Sequence, residues 1–185
     1  KAIFAINNYT LTYLTDGNGS VDSTKQNVDH GKNANSVTAT ANSGYHFLNW
    51  SDGSTANPRT DLNLTGDLTV TANFEIDSFT LDYGYTGNGS ITGNSSQKIG
   101  KGSDAQQVTA VAATGYHFVK WDDEVTTATR QDKSINSNKS IKAIFEINQY
   151  TIVYTTDGNG TISGNDVQKV NHGSNASSVT AVPND

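Results

Sequence analysis

The sequence predicts a mainly β protein made of tandem small β-rich modules of about 70 residues arranged end to end. Three observations carry that expectation. Segments recur at a fixed spacing: Tyr9-Thr10-Leu11-Thr12-Tyr13 returns as Phe79-Thr80-Leu81-Asp82-Tyr83 and as Tyr150-Thr151-Ile152-Val153-Tyr154, at offsets of 70 and 71. Within each period apolar residues alternate with polar ones, the mark of a half-buried strand. No stretch shows a helical apolar stripe of useful length, and Asn57 to Asp61 or Ser103 to Gln107 would hold a turn of helix at most.

Each element follows in order. Tyr9, Leu11 and Tyr13 alternate with threonines as a first strand. Asn18-Gly19, Asn88-Gly89 and Asn159-Gly160 read as tight hairpin turns, where the backbone needs positive φ. Val37 to Ala41 and Tyr45 to Trp50 read as two more strands, split by Asn42-Ser43-Gly44. Strict alternation would put Phe47 and Trp50 on opposite faces, so burying both requires a bend or bulge after Phe47. Leu68, Val70, Ala72, Phe74 and Ile76 alternate with Thr69, Thr71, Asn73 and Glu75 as a closing strand. The expected core of the first repeat is Tyr9, Leu11, Tyr13, Val37, Tyr45, Phe47, Trp50, Val70, Phe74 and Ile76.

The closing strand Ala72–Ile76 matches Ala143–Ile147 and also Ala2–Ile6. Residues 1–8 therefore read as the closing strand of a preceding repeat. Full repeats are expected at 9–78 and 79–149, and 150–185 reads as the N-terminal half of a further repeat. Only Asp77 and Ser78, or Asn148 and Gln149, lie between successive periods. Flexible tethers are longer and rich in Gly, Ser or Pro, so neighbouring repeats should meet at a nearly fixed angle.

Composition narrows the function. Of 185 residues, 24 are Thr, 21 Asn and 18 Ser, with 12 Lys+Arg against 18 Asp+Glu and a net charge of −6. Scattered basic residues under a negative net charge argue against a nucleic-acid partner. No apolar run approaches the roughly 18 residues of a membrane span. Absent Cys excludes disulfides, zinc–thiolate sites and thiol catalysis.

The order aromatic-Thr-Leu-Thr, Gly17-Asn18-Gly19-Ser20-Val21, Val37-Thr38-Ala39, Gly44-Tyr45-His46-Phe47-Leu48-Asn49-Trp50 and Val70-Thr71-Ala72-Asn73-Phe74 resembles the divergent internalin B-type bacterial repeat of the Listeria–Bacteroides repeat group. The second copy carries Gly115-Tyr116-His117-Phe118-Val119-Lys120-Trp121, and the resemblance covers essentially the whole chain. It implies a β-grasp-like module, tandem arrays in secreted or surface-anchored bacterial proteins, and roles as spacer, adhesin stalk or interaction module. It brings no catalytic residues.

His46 and His117 are equivalent, as are His30 and His172, and Lys101 takes the latter place in the second repeat. Recurrence at equivalent positions serves the module rather than a single reaction centre, so no catalytic residue is expected. Asp122-Asp123-Glu124 reads as a solvated acidic loop. Asp16-Gly17-Asn18-Gly19-Ser20 mimics the start of a calcium loop, but Val21 and Asn27 occupy the Gly and bidentate Glu positions, so no metal and no cofactor are expected. Trp50 and Trp121 are read as core, and His46, His117, Asn49 and Lys120 as facing water. Tyr45, His46, Tyr116 and His117 are the candidate ligand-contact residues, since exposed rings are recognition platforms. The expected function is structural, a stalk, spacer or fibre-forming segment of an extracellular protein. The alternative is an adhesin module binding a glycan or protein ligand. Expected partners are neighbouring repeats and other copies in a fibre.

Overall fold

Alternation along the closing strand places one row of side chains against a core and leaves two polypeptide edges to be paired. In the computed structural model, which describes residues 1–185, both edges are taken. The first repeat contains β1 (Asn8–Thr15), β2 (Gly19–Val21), β3 (Lys25–Asp29), β4 (Ala39–Ala41), β5 (Tyr45–Trp50) and β6 (Leu68–Ile76). A four-stranded sheet has the order β3-β1-β6-β5. Its central pair, β1 and β6, is parallel, with Leu11 opposite Leu68 and Thr15 opposite Ala72. β3 and β5 flank that pair antiparallel. Leu11, Tyr13, Val70, Ala72 and Phe74 are buried in one core, against which Val21 and Ala41 of the small β2–β4 sheet pack.

The second repeat repeats the plan with β7 (Ser78–Thr86), β8 (Gly89–Thr92), β9 (Ser96–Gly100), β10 (Val108–Ala112), β11 (Tyr116–Trp121), β12 (Thr129–Arg130) and β13 (Lys139–Ile147). Its main sheet runs β11-β13-β7-β9, and β12-β10-β8 form the smaller one. Two antiparallel pairs follow: β14 (Gln149–Val153) with β16 (Val167–Asn171), and β15 (Gly160–Ser163) with β17 (Thr180–Pro183). Lys1–Ser78 and Phe79–Asp185 are two compact units. The mixed sheet with a parallel central pair is β-grasp-like, and the protein is all-β, with no helix.

The bulge expected after Phe47 is present. Phe47 pairs with Phe74 and Asn49 with Asn73, so Leu48 is the extra residue and projects outward. The shift turns Trp50 inward to full burial, its ring 5.8 Å from Phe47 and 6.0 Å from Tyr13. The same shift lies between Phe118 and Lys120.

Two expectations are corrected, the hairpin turns and the burial of Ile76. The Asn-Gly segments do not close hairpins: β1 pairs with β3 and β6, whereas β2 pairs with β4. The chain changes sheets there, Gly17 supplying a φ of +97°. Gly19 lies so close under the Phe74 ring that a Cβ would overlap both the ring and the Thr40 carbonyl, and Gly89 meets Phe145 in the same way. Ile76, counted as core, is 37% exposed, because β6 outruns the core at its last residue. Residues 1–7 form no strand, and Phe4 is 91% exposed. In the full repeats the matching strand is held by a neighbour on each side. Segments 57–61 and 103–107 hold no helix, within the limit of one turn that the sequence allows them.

Replacing Gly19 by Ala should destabilise the first repeat by about 1–3 kcal/mol, because the ring and a backbone carbonyl must both yield. Gly66→Ala, at a position with open space around it, should change stability by less than about 0.5 kcal/mol in the same urea titration.

Candidate functional site

The most chemically loaded cluster lies beneath the indole of each full repeat. Arg59 reaches it because its backbone exchanges two hydrogen bonds of 2.9 Å with Val37. Its guanidinium sits over the Trp50 ring, 4.9 Å from the centroid, and its side chain is 7% exposed. Such a charge needs compensation in so little water. Nε and Nη2 donate to Asp61 at 3.1 and 2.5 Å, and Nη2 donates to Asp52 at 2.9 Å. Tyr13 donates its hydroxyl to the same Asp61 carboxylate at 2.8 Å, and the Trp50 indole N–H donates to the Ala56 carbonyl at 2.9 Å.

The second repeat rebuilds the cluster. Arg130 on β12 donates to Asp132 at 3.0 and 2.6 Å and to Asp123 at 2.9 and 2.7 Å. Tyr83 donates to Asp132 at 2.6 Å, and the guanidinium lies 5.0 Å from the Trp121 centroid. Asp122, Asp123 and Glu124 are exposed, as a solvated loop requires, and each also has a partner. Asp123 holds Arg130, Asp122 accepts the Lys142 N–H at 3.0 Å, and Glu124 pairs with Lys120 at 2.8 Å.

Electrostatics match this geometry. Hydrogen bonds from Arg59 and Arg130 hold the Asp52 and Asp123 carboxyls below the usual aspartate range. Burial pushes Asp132 up, but Arg130 and Tyr83 outweigh it and the net direction is down. Burial first, and the facing carboxylate second, push the Tyr13 and Tyr83 phenols up. The arginines stay charged, their two carboxylates outweighing desolvation. Each guanidinium directs four hydrogen bonds at its two carboxylates, which commits the cluster to holding the fold.

The candidate ligand-contact residues lie on β5 and β11. Tyr45 and Tyr116 are half-buried, and Tyr45 packs against the core with Phe47. His46 and His117 are exposed and leave the opposite face of their strands. The structure therefore does not bring Tyr45 and His46 onto one platform. His46 Nδ1 lies 3.2 Å from Asp77 and His117 Nδ1 lies 2.9 Å from the Asn148 side-chain oxygen. Asn49 and Lys120 are half-buried rather than open to water. His30 and His172 each meet the tyrosine that opens their repeat, Tyr9 at 3.2 Å and Tyr150 at 3.4 Å. The Asp16 carboxylate, suspected as a calcium mimic, accepts the Phe74 and Asn18 backbone N–H groups, and the former lowers its pKa most.

Two devices escaped the sequence reading. Gln26, Gln97 and Gln168, each 71 residues apart, tie a loop by accepting one backbone N–H and donating to carbonyls. The difference between Asn57 and Ala128 conceals one solution. The Ala39 N–H is met by the Asn57 side chain at 2.9 Å, and the equivalent Ala110 N–H by the Ala128 carbonyl at 3.0 Å.

Arg59→Ala should cost about 3–5 kcal/mol, since it strands two carboxylates beside a buried ring, and should unfold the first repeat. Lys120→Ala, which removes an exposed pair, should cost under about 1 kcal/mol. Denaturant titrations of both variants check this. Stability should also be flat through neutral pH and fall at both extremes. The depressed aspartates contribute above about pH 4 and lose that contribution as acid titrates them. The raised tyrosines contribute fully below about pH 10 and lose it as pH rises further. A thermal melt series across pH should show both flanks, the alkaline one absent from the Tyr13→Phe, Tyr83→Phe double variant.

Among solved structures, the Bacillus anthracis TIE protein matches at 14% identity and a TM-score of 0.40, covering 96% of this chain and 44% of that one. The chain thus spans less than half of that relative. Streptococcal High Identity Repeats in Tandem (SHIRT) domains 3-4 from a cell surface protein match at 12% identity and a TM-score of 0.28, covering 76% and 98%. The family model of the divergent InlB B-repeat domain matches residues 9–78, 79–149 and 150–185. Matched over nearly its whole length, the chain belongs to the divergent InlB B-repeat family.

Proposed function

We propose that this chain is a structural repeat segment of an extracellular bacterial surface protein, acting as a stalk or spacer with 9–78 and 79–149 as its full modules. The observation that carries the reading is the parallel pairing of the first and last strands in each repeat. A parallel last strand ends at the far end of the sheet from where the first begins, so the chain enters one end of a repeat and leaves at the other. A single residue then separates β6 from β7, and another separates β13 from β14. Membership of the divergent InlB B-repeat family, whose resemblance implies secreted or surface-anchored proteins, supports the location. The burial of both tryptophans and the commitment of the arginine–aspartate clusters to packing support a mechanical rather than a catalytic role.

Small-angle scattering on the chain should give a radius of gyration well above the roughly 16 Å of one globule of this length. A value near that of a globule would overturn the stalk. Saturable binding to a glycan array, lost in the Tyr45→Ala, Tyr116→Ala variant with the fold intact, would instead establish the adhesin reading.

A further inference from the structure

We infer that Gly115, Asn148 and His172 form a joint that docks residues 150–185 onto the second repeat, so that the two move as one body. The inference rests on the stalk reading for its purpose, though its geometry is independent of it. Asn148, the single residue between β13 and β14, is engaged on three sides. Its N–H donates to the Gly115 carbonyl at 2.8 Å, and its carbonyl accepts the His172 N–H at 2.8 Å. Its side-chain oxygen lies 2.9 Å from His117 Nδ1.

The ring of His172 completes the joint. It lies against Gly115, whose φ is +80°, so closely that a Cβ there would overlap the imidazole. Tyr150 meets the same ring, centroids 6.1 Å apart at 50°. Glycine at this place thus answers two demands, a left-handed backbone and the seat of a ring from the following repeat. The second repeat supplies Gly115 and His117, and the following segment supplies Tyr150 and His172.

Each half of the arrangement also occurs within the first unit. His30 donates its N–H to the Asn7 carbonyl at 2.8 Å and meets Tyr9 at 5.9 Å between centroids. Asp77 donates its N–H to the Gly44 carbonyl at 2.8 Å. Gly115 and His172 are therefore the two faces of this contact; Gly44 and His30 hold the corresponding places in the first repeat, and Lys101 stands at the histidine place of the second.

The test uses the whole chain in weakly aligned solution. Residual dipolar couplings of 79–147 and of 150–185 should fit a single alignment tensor. His172→Ala and Gly115→Ala, which strip the joint from opposite sides, should each split it into two. The Asn148 and His172 amides should exchange at least about tenfold faster in either variant. Unchanged amide dispersion and the Trp121 indole signal identify which variant keeps both parts folded. Two tensors in the native chain, or one tensor persisting in a folded variant, would overturn the joint. A single tensor together with globule-like scattering would sink the stalk reading and leave the joint standing.

Discussion

A guanidinium held between two carboxylates over an indole sets the terms for everything else in these modules. At about 70 residues a domain has little apolar surface to bury, and its core yields only a few kcal/mol. Through Asp52 and Asp123, Arg59 and Arg130 tie the turn after the bulged strand to the segments that pair with Val37 and Val108. Such a cluster is stable only when complete: a lone buried charge is costly, and a fully paired one holds geometry. No buried side-chain nitrogen or oxygen lacks a hydrogen-bond partner, so the condition is met throughout.

The sheet change at Gly17 to Gly19 is the second constraint. Keeping β1 beside β6 requires the intervening chain to cross over the core, and β2 and β4 make that crossing as a small covering sheet. The crossing passes so near Phe74 that only hydrogen fits at Gly19, and the second repeat meets the same limit at Gly89. The glycine-rich motif is thus shaped by an aromatic ring some 55 residues away in sequence.

Much of this was legible in the sequence, for reasons that differ by element. Period-two alternation betrayed β1, β5 and β6, and the need to bury both Phe47 and Trp50 betrayed the bulge. The Asn-Gly pairs announced a turn but could not say which strands it joined, because that is decided by long-range pairing. β3, reading Lys-Gln-Asn-Val-Asp, was invisible because backbone bonds to β1 define it and only Val28 among its side chains is buried. Arg59 and Asp61 recur as Arg130 and Asp132, but recurrence alone does not say that the pair lies buried against an indole. Their third member, Asp123, was hidden by acidic neighbours whose roles are separate.

Parallel pairing of the terminal strands bears on how a repeat meets force. Tension along the polypeptide pulls β1 and β6 past each other in opposite directions. The five residue pairs from Leu11–Leu68 to Thr15–Ala72 are then loaded together in shear, whereas a hairpin peels open one rung at a time. Resistance to stretching is therefore written into the connectivity itself, ahead of any particular side chain.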